Sequence, residues 1–299
     1  MTFRLKVLNF LLRNVERRAL LATAEPSQIR RRVRLQTRLF FHPPFGTEIS
    51  SEALSFSGQS VKCLKVGDGV GGVMLYLHGG AYIFGSAQTH RRFVAKLAAD
   101  NHLTAYSINY RLAPEQPFPA AIDDAFTAYN ALLARGIAAG SITIAGDSAG
   151  GGLALALLHR LLAEGLPRPR NLLAFSPQTD LTLSNQSLVE NAKSEVMLPV
   201  ERMAEVRDMV VKGSVKDPLA SPLFGAFNNA PPVFISVGTT EILRDDGLKM
   251  VTKLRASGVS VTVDIGENLP HVWPFFHGML PEADATLKRV QAFLSHPSP

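Results

Sequence analysis

The sequence predicts an α/β fold, a mostly parallel central sheet flanked by helices. Three observations carry this. Short apolar runs alternate with longer helical patterns from residue 73 onward. At 299 residues and 46% hydrophobic, the chain suits one large α/β domain or two small ones. A cluster of small residues around Ser148 falls between a strand-like and a helix-like run, so the sheet carries a tight strand-to-helix turn.

The first segment stands apart in charge. Residues 1–38 hold ten Lys/Arg and two Glu, net +8; the whole chain is +6, which leaves −2 for the remainder. Val7, Leu8, Leu11, Leu12 and Val15 fall on one helical stripe, with Arg4, Arg13, Glu16 and Arg17 elsewhere. Arg30, Arg31, Arg32 and Arg34 follow in a second helical stretch. Such a segment suits a helix packed on the body, a cap over a cleft, or contact with an anionic membrane surface. No zinc-finger spacing or stacking-aromatic motif accompanies the arginines, so nucleic acid is not an expected partner. No apolar run of about 18 residues is present, so no transmembrane helix is expected. The opening residues are too charged for the apolar core of a signal peptide.

Pro43-Pro44 closes the helical region, and strands are expected near 47–56 and 58–66. The single cysteine, Cys63, lies in an alternating run and reads as an inert strand residue. The absence of a disulfide fits a reducing, cytoplasmic setting. Residues 73–77 form a central strand ending in His78-Gly79-Gly80-Ala81-Tyr82, and 103–109 form the next strand. Three prolines in 114–119 exclude helix there, and Arg111 and Glu115 are expected to pair across that segment. A helix over 120–135 and a strand over 141–144 lead to Ser148; an apolar helix follows it, then a strand at 171–176. Residues 180–213 turn polar without strand alternation and read as inserted helices over the site. Strands at 232–237 and 259–264 and a helix near 282–294 complete the pattern.

Gly146-Asp147-Ser148-Ala149-Gly150 matches G-x-S-x-G in the strand–turn–helix setting that makes the serine a candidate nucleophile. Small neighbours are needed because Cβ atoms beside so sharp a turn collide with the adjoining strand and helix. A serine hydroxyl requires a base. Of eight histidines, His271 alone lies on a loop after the last strand; His277 is the runner-up, and His78 reads as an anchor of the glycine loop. A glycine pair after a buried strand lets backbone N–H groups approach a developing oxyanion. Acidic residues follow the strand at 232–237, which gives the order Ser, acid, His.

From about residue 70 onward, these motifs resemble the hormone-sensitive-lipase-like family of α/β-hydrolases, the bacterial family IV esterases. The resemblance rests on His78-Gly79-Gly80, Tyr110-Arg111-Leu112-Ala113-Pro114-Glu115, Gly146 to Gly150, Asp217-Pro218, Ser221-Pro222-Leu223 and His271. It implies an α/β-hydrolase fold with a helical cap: cap helices in 1–40, a cap insertion at 180–213, and a catalytic body of 41–179 and 214–299. Residues 241–247 align with the family's acid motif, which places Glu241 at the triad acid, with Asp245 the alternative. Ala81 stands where the family has a third glycine, which narrows the pocket but keeps the backbone donor. The implied activity is a serine carboxylesterase for short- to medium-chain acyl esters. Ser148, His271 and Glu241 are its expected triad; Gly80, Ala81 and Ala149 are its expected oxyanion donors, with Gly79 shaping the loop. A lipase or amidase on the same triad, and a non-catalytic receptor, are the alternatives. The expected partner is a small-molecule ester, with no cofactor, no metal and a homodimer through the last strand.

Overall fold

The computed structural model describes residues 1–295; His296 lies outside the described residues. Among the described residues, eight strands form one sheet: β1 (Ile49–Phe56), β2 (Gln59–Val66), β3 (Val73–Leu77), β4 (Thr104–Ile108), β5 (Ile142–Asp147), β6 (Asn171–Phe175), β7 (Val233–Gly238) and β8 (Val261–Gly266). Their order is β1-β2-β4-β3-β5-β6-β7-β8. β2 pairs antiparallel with both β1 and β4, and the remaining neighbours are parallel. β8 starts two residues later than expected because the Val259 N–H bonds the Leu254 carbonyl, closing the preceding helix.

The helices are α1 (Phe3–Leu11), α2 (Arg18–Ala22), α3 (Pro26–Phe40), α4 (Ala87–Asp100), α5 (Ala120–Ala134), α6 (Ala149–Ala163), α7 (Ser187–Glu190), α8 (Met203–Val210), α9 (Arg244–Ala256) and α10 (Pro281–Ser295). The period of two along β3 sends Leu75 and Leu77 into a core with α5, α6 and α9. It sends Met74 and Tyr76 into a second core with α4 and α10. Both faces are thus covered, as a parallel sheet requires. Cys63 is buried in the first core, and burial pushes its thiol up to about 11, so it stays protonated and inert.

The chain leaves β3 for β4 on one side and returns to the other side of β3 with β5. The carboxyl ends of β3 and β5 therefore flank a topological switch point, where open α/β sheets bind ligands.

At the N-terminus, α1 and α2 are joined by a wide helical turn over Leu12–Arg17. The buried stripe is Leu5, Leu8 and Leu12, packed on Val196, Trp273, Phe276 and Leu280. Val7, Leu11 and Val15, expected on that stripe, are exposed. Apolar residues lie around most of α1, so the sequence does not single out the packed face.

The 180–213 segment holds less helix than expected: α7, a 3-10 turn at Val200–Arg202, and α8. Its first half is irregular because local polar groups find other partners. Asp246 accepts the Thr179 and Asp180 N–H groups and the Asn185 amide, and the Ser187 hydroxyl donates to the Ile242 carbonyl. Its second half meets the N-terminal helices. The Arg202 guanidinium donates to the carbonyls of Leu20, Thr23 and Ala24 at the end of α2, and Arg17 pairs with Glu201 at 2.8 Å. The expected Arg111–Glu115 pair is not formed. Arg111 pairs with Asp124 at 2.8 Å, while Glu115 pairs with Arg30 at 2.7 Å. The proline-rich bend separates the two residues and hands each to a partner on a different helix.

Candidate active site

Ser148 caps β5 at φ 53° and ψ −123°, a conformation L residues rarely adopt. The glycines around it are dictated by contact. A Cβ on Gly150 would lie 2.0 Å from the Leu77 carbonyl oxygen, and one on Gly146 would lie 2.2 Å from that of Gly150. The serine thus sits at the first turn of α6, where N–H groups point at it and favour negative charge.

His271, on the loop after β8, places Nε2 2.9 Å from Ser148 Oγ. Its Nδ1 lies 2.6 Å from Glu241 Oε2. Glu241 follows β7 and is buried; its Oε1 accepts the Gly238 N–H at 2.5 Å and the Ser176 hydroxyl at 2.8 Å. Since Glu241 accepts only, Nδ1 carries the proton and Nε2 is left to accept from the serine. Burial alone lowers the His271 pKa, but the Glu241 hydrogen bond and the charges of Glu241 and Glu195 outweigh it, and the net shift is upward.

The other candidates lie elsewhere. Asp245 accepts the Ser187 N–H and pairs with Arg244, away from the imidazole. His277 stacks on Phe93, and burial with the nearby Arg92 and Lys96 charges lowers it to about 4. His78 is buried and stacked on Tyr110 at 4.1 Å, and Tyr110 donates to the His78 carbonyl at 2.6 Å. Burial, helped by His90, lowers His78 to about 3, so it stays neutral and anchors the loop.

After β3 the glycine loop turns at Gly80 (φ 119°) and Ala81 (φ 52°). Among the described residues, neither the Gly80 nor the Ala81 N–H donates to another protein group. The Gly79 N–H does: it bonds Asp147 Oδ1 at 2.9 Å, which removes it as an oxyanion donor and ties the loop to the serine turn. Asp147 Oδ1 also accepts the Tyr76 hydroxyl at 2.6 Å, and Oδ2 faces His90 Nε2 at 3.4 Å. Burial raises the Asp147 pKa, but His90, Tyr76 and Gly79 together hold it below the usual range.

Sequence reasoning missed Ser176, His90 and Glu195. Ser176 Oγ joins Glu241 to the Val272 N–H, fixing the loops of Glu241 and His271 together. Glu195 is buried and accepts the N–H groups of Met197, Leu198 and Ile242, so it staples a cavity wall to the acid-bearing turn. Burial and the neighbouring Glu241 charge raise its pKa despite His271. Among the described residues, no group of three His, Cys, Asp or Glu side chains is arranged to hold a metal ion.

Ser148 and His271 open into a cavity of about 800 Å³. Its walls are mainly apolar: Ile29, Val33 and Phe40 from α3, Met197 and Met203 from the inserted segment, and Phe275 and Phe276 beyond β8. The geometry suits attack by an activated serine on a carbonyl whose substituent is apolar.

A family model described as an alpha/beta hydrolase fold matches residues 74–275. An acetyl-hydrolase of Streptomyces hygroscopicus is 37% identical over 225 residues, 75% of each chain. An esterase from the bacterial hormone-sensitive lipase (HSL) family has a solved structure 32% identical to this chain, with a TM-score of 0.89 over 98% of each. EstE5, solved after soaking with p-nitrophenyl butyrate, is 33% identical, with a TM-score of 0.87 over 98% of each.

Proposed function

The chain belongs to the hormone-sensitive-lipase-like family of α/β-hydrolases and is an esterase, and from that premise we propose that Ser148, His271 and Glu241 carry its reaction on short- to medium-chain acyl esters. The observation that carries the assignment is the unbroken relay from Ser148 Oγ through His271 to Glu241, at 2.9 and 2.6 Å, on the floor of an apolar cavity.

His271 Nε2 takes the Ser148 proton as Oγ attacks the ester carbonyl. Negative charge gathers on the carbonyl oxygen, and the Gly80, Ala81 and Ala149 N–H groups receive it. Glu241 holds the imidazolium formed in that step. His271 then protonates the leaving alkoxide, the alcohol departs, and an acyl-Ser148 ester remains. Water enters, His271 takes its proton, and the second tetrahedral intermediate collapses to the acid and free Ser148.

In this reading the helices of residues 1–40 and the 180–213 insertion act together as the cap that shapes the acyl site, supported by the Arg202 and Arg17 ties between them. A small-molecule ester is the partner it is built for. Two copies pairing along β8, one of the two edge strands of the sheet, belong to the same reading.

An acyl-chain series of p-nitrophenyl esters, with Ser148→Ala beside the parent, tests it. We expect a maximum of kcat/KM between butyrate and octanoate, and a loss of at least about 10⁴-fold in Ser148→Ala with the fold retained. A maximum beyond decanoate contradicts the acyl-chain assignment; full activity in Ser148→Ala contradicts the mechanism.

A further inference from the structure

The outer surface of the N-terminal helices is unlike the rest of the molecule. On α1, Phe3, Val7, Phe10 and Leu11 are spaced three and four residues apart along one side, opposite the buried Leu5 and Leu8. Phe3 is 80% exposed and Phe10 66%. Lys6 borders this stripe on one side and Arg4 on the other, and Arg13, in the turn beyond α1, donates to the Ser194 carbonyl. On α3, Ile29, Val33 and Phe40 face the cavity, while Arg31, Arg34, Leu35, Arg38 and Leu39 point the other way, exposed.

Charge on this surface is unbalanced. Arg17, Arg30 and Arg32 pair with Glu201, Glu115 and Glu16. Among the described residues, Arg4, Lys6, Arg13, Arg18, Arg31, Arg34 and Arg38 form no ion pair. Isolated cations alone would be an ordinary solvated face. Exposed Phe and Leu side chains interleaved with them are the pattern of a helix lying in a lipid interface. The mouth of the cavity is near: Leu12 and Glu16, which continue α1, and Phe40 at the end of α3 all line it.

We propose that α1 and α3 form a docking surface for anionic lipid, which seats the cavity mouth on a membrane or lipid aggregate. Charge selects this occupant over a second copy of the chain. A two-fold contact would set the cationic patch against itself, with Glu25 the only acid of residues 1–38 left outside an ion pair among the described residues. An anionic headgroup layer supplies the missing counter-charge and takes the exposed rings into the acyl boundary.

The test is co-sedimentation of the full chain with extruded vesicles, either phosphatidylcholine alone or three parts phosphatidylcholine to one part phosphatidylglycerol. Binding is read without turnover, so its failure leaves the esterase reading standing. We expect partitioning onto the mixed vesicles at least about tenfold stronger than onto phosphatidylcholine, and falling as salt is added. Arg34→Glu with Arg38→Glu, and separately Phe3→Ser with Phe10→Ser, should each weaken it about tenfold or more. Both pairs should keep the parent's hydrolysis of p-nitrophenyl butyrate in free solution, since none of the four residues lines the cavity. Equal partitioning onto both vesicles, no binding at low salt, or parental binding by both variant pairs overturns the proposal. So does a concentration-dependent dimer that Phe3→Ser with Phe10→Ser abolishes.

Discussion

The carboxyl edge of the sheet and the N-terminal helices above it hold their side chains in opposite ways. At the edge, crowded backbone dictates position: Ser148 is fixed by a turn between β5 and α6, and the Gly79 N–H is tied to the side chain of Asp147 within that turn. Above it, side chains hold helices. Arg202 reaches three carbonyls of the α2 end, and Leu5, Leu8 and Leu12 rest on the loop after β8. A site set in crowded backbone tolerates almost no change of shape, whereas the proposed cover, tied by side chains, should be open to re-lining without loss of the chemistry beneath.

The sharpest way to break this contrast is at Gly150. Gly150→Val would drive its Cβ into the Leu77 and His78 carbonyls, at 2.0 and 2.5 Å. We expect destabilisation of more than about 4 kcal/mol, seen as loss of soluble protein or of the cooperative melt. A variant that melts like the parent would show that the turn has slack.

Next comes Asp147→Asn, which loses the charge facing His90 and disturbs the acceptor of the Gly79 N–H. Because Gly79 leads into the proposed oxyanion donors, kcat should fall about 10- to 100-fold with KM little changed. A rise in KM alone would place Asp147 outside the transition-state geometry.

The third is a pH profile. As the proposed base, His271 must be neutral to act, and its pKa is shifted upward, so kcat/KM should rise with pH through a midpoint above that of an ordinary imidazole. Glu195 contributes to that shift; Glu195→Gln should move the midpoint down. An unmoved midpoint would mean that Glu195 carries no charge while His271 titrates.

The smallest effect belongs to the cover. Arg202→Met leaves three carbonyls at the α2 end without that donor and should cost about 1–3 kcal/mol of stability. KM for p-nitrophenyl butyrate should rise a few-fold while kcat holds, because Arg202 and Met203 both line the cavity. An equal fall in kcat would show that the cover reaches the chemistry.

The same contrast explains what the sequence revealed. Gly146, Gly150 and the glycine pair at Gly79 and Gly80 were legible because backbone crowding leaves few residue types for those positions. His271 was legible because a loop after the last strand returns to the sheet edge, and the parallel sheet followed from strands alternating with helices. Ser176, His90 and Glu195 were not legible. Each works on a partner many positions away, and none sits in a spacing that marks it. The packed face of α1 was misread because apolar residues lie on both its faces. Arg111 and Glu115 were paired by nearness in sequence, although their partners, Asp124 and Arg30, come from helices that only the tertiary fold brings close.

The most direct test of the central claim sets Glu241→Gln against Asp245→Asn in one assay of kcat/KM on p-nitrophenyl butyrate. An amide at Glu241 presents an N–H to His271 Nδ1 and forces the wrong tautomer, so activity should fall about 10³- to 10⁴-fold. Asp245→Asn should keep activity within a few-fold of the parent, since Asp245 serves Ser187 and Arg244. Parental activity in Glu241→Gln, or a larger loss in Asp245→Asn, would contradict the relay from Ser148 through His271 to Glu241.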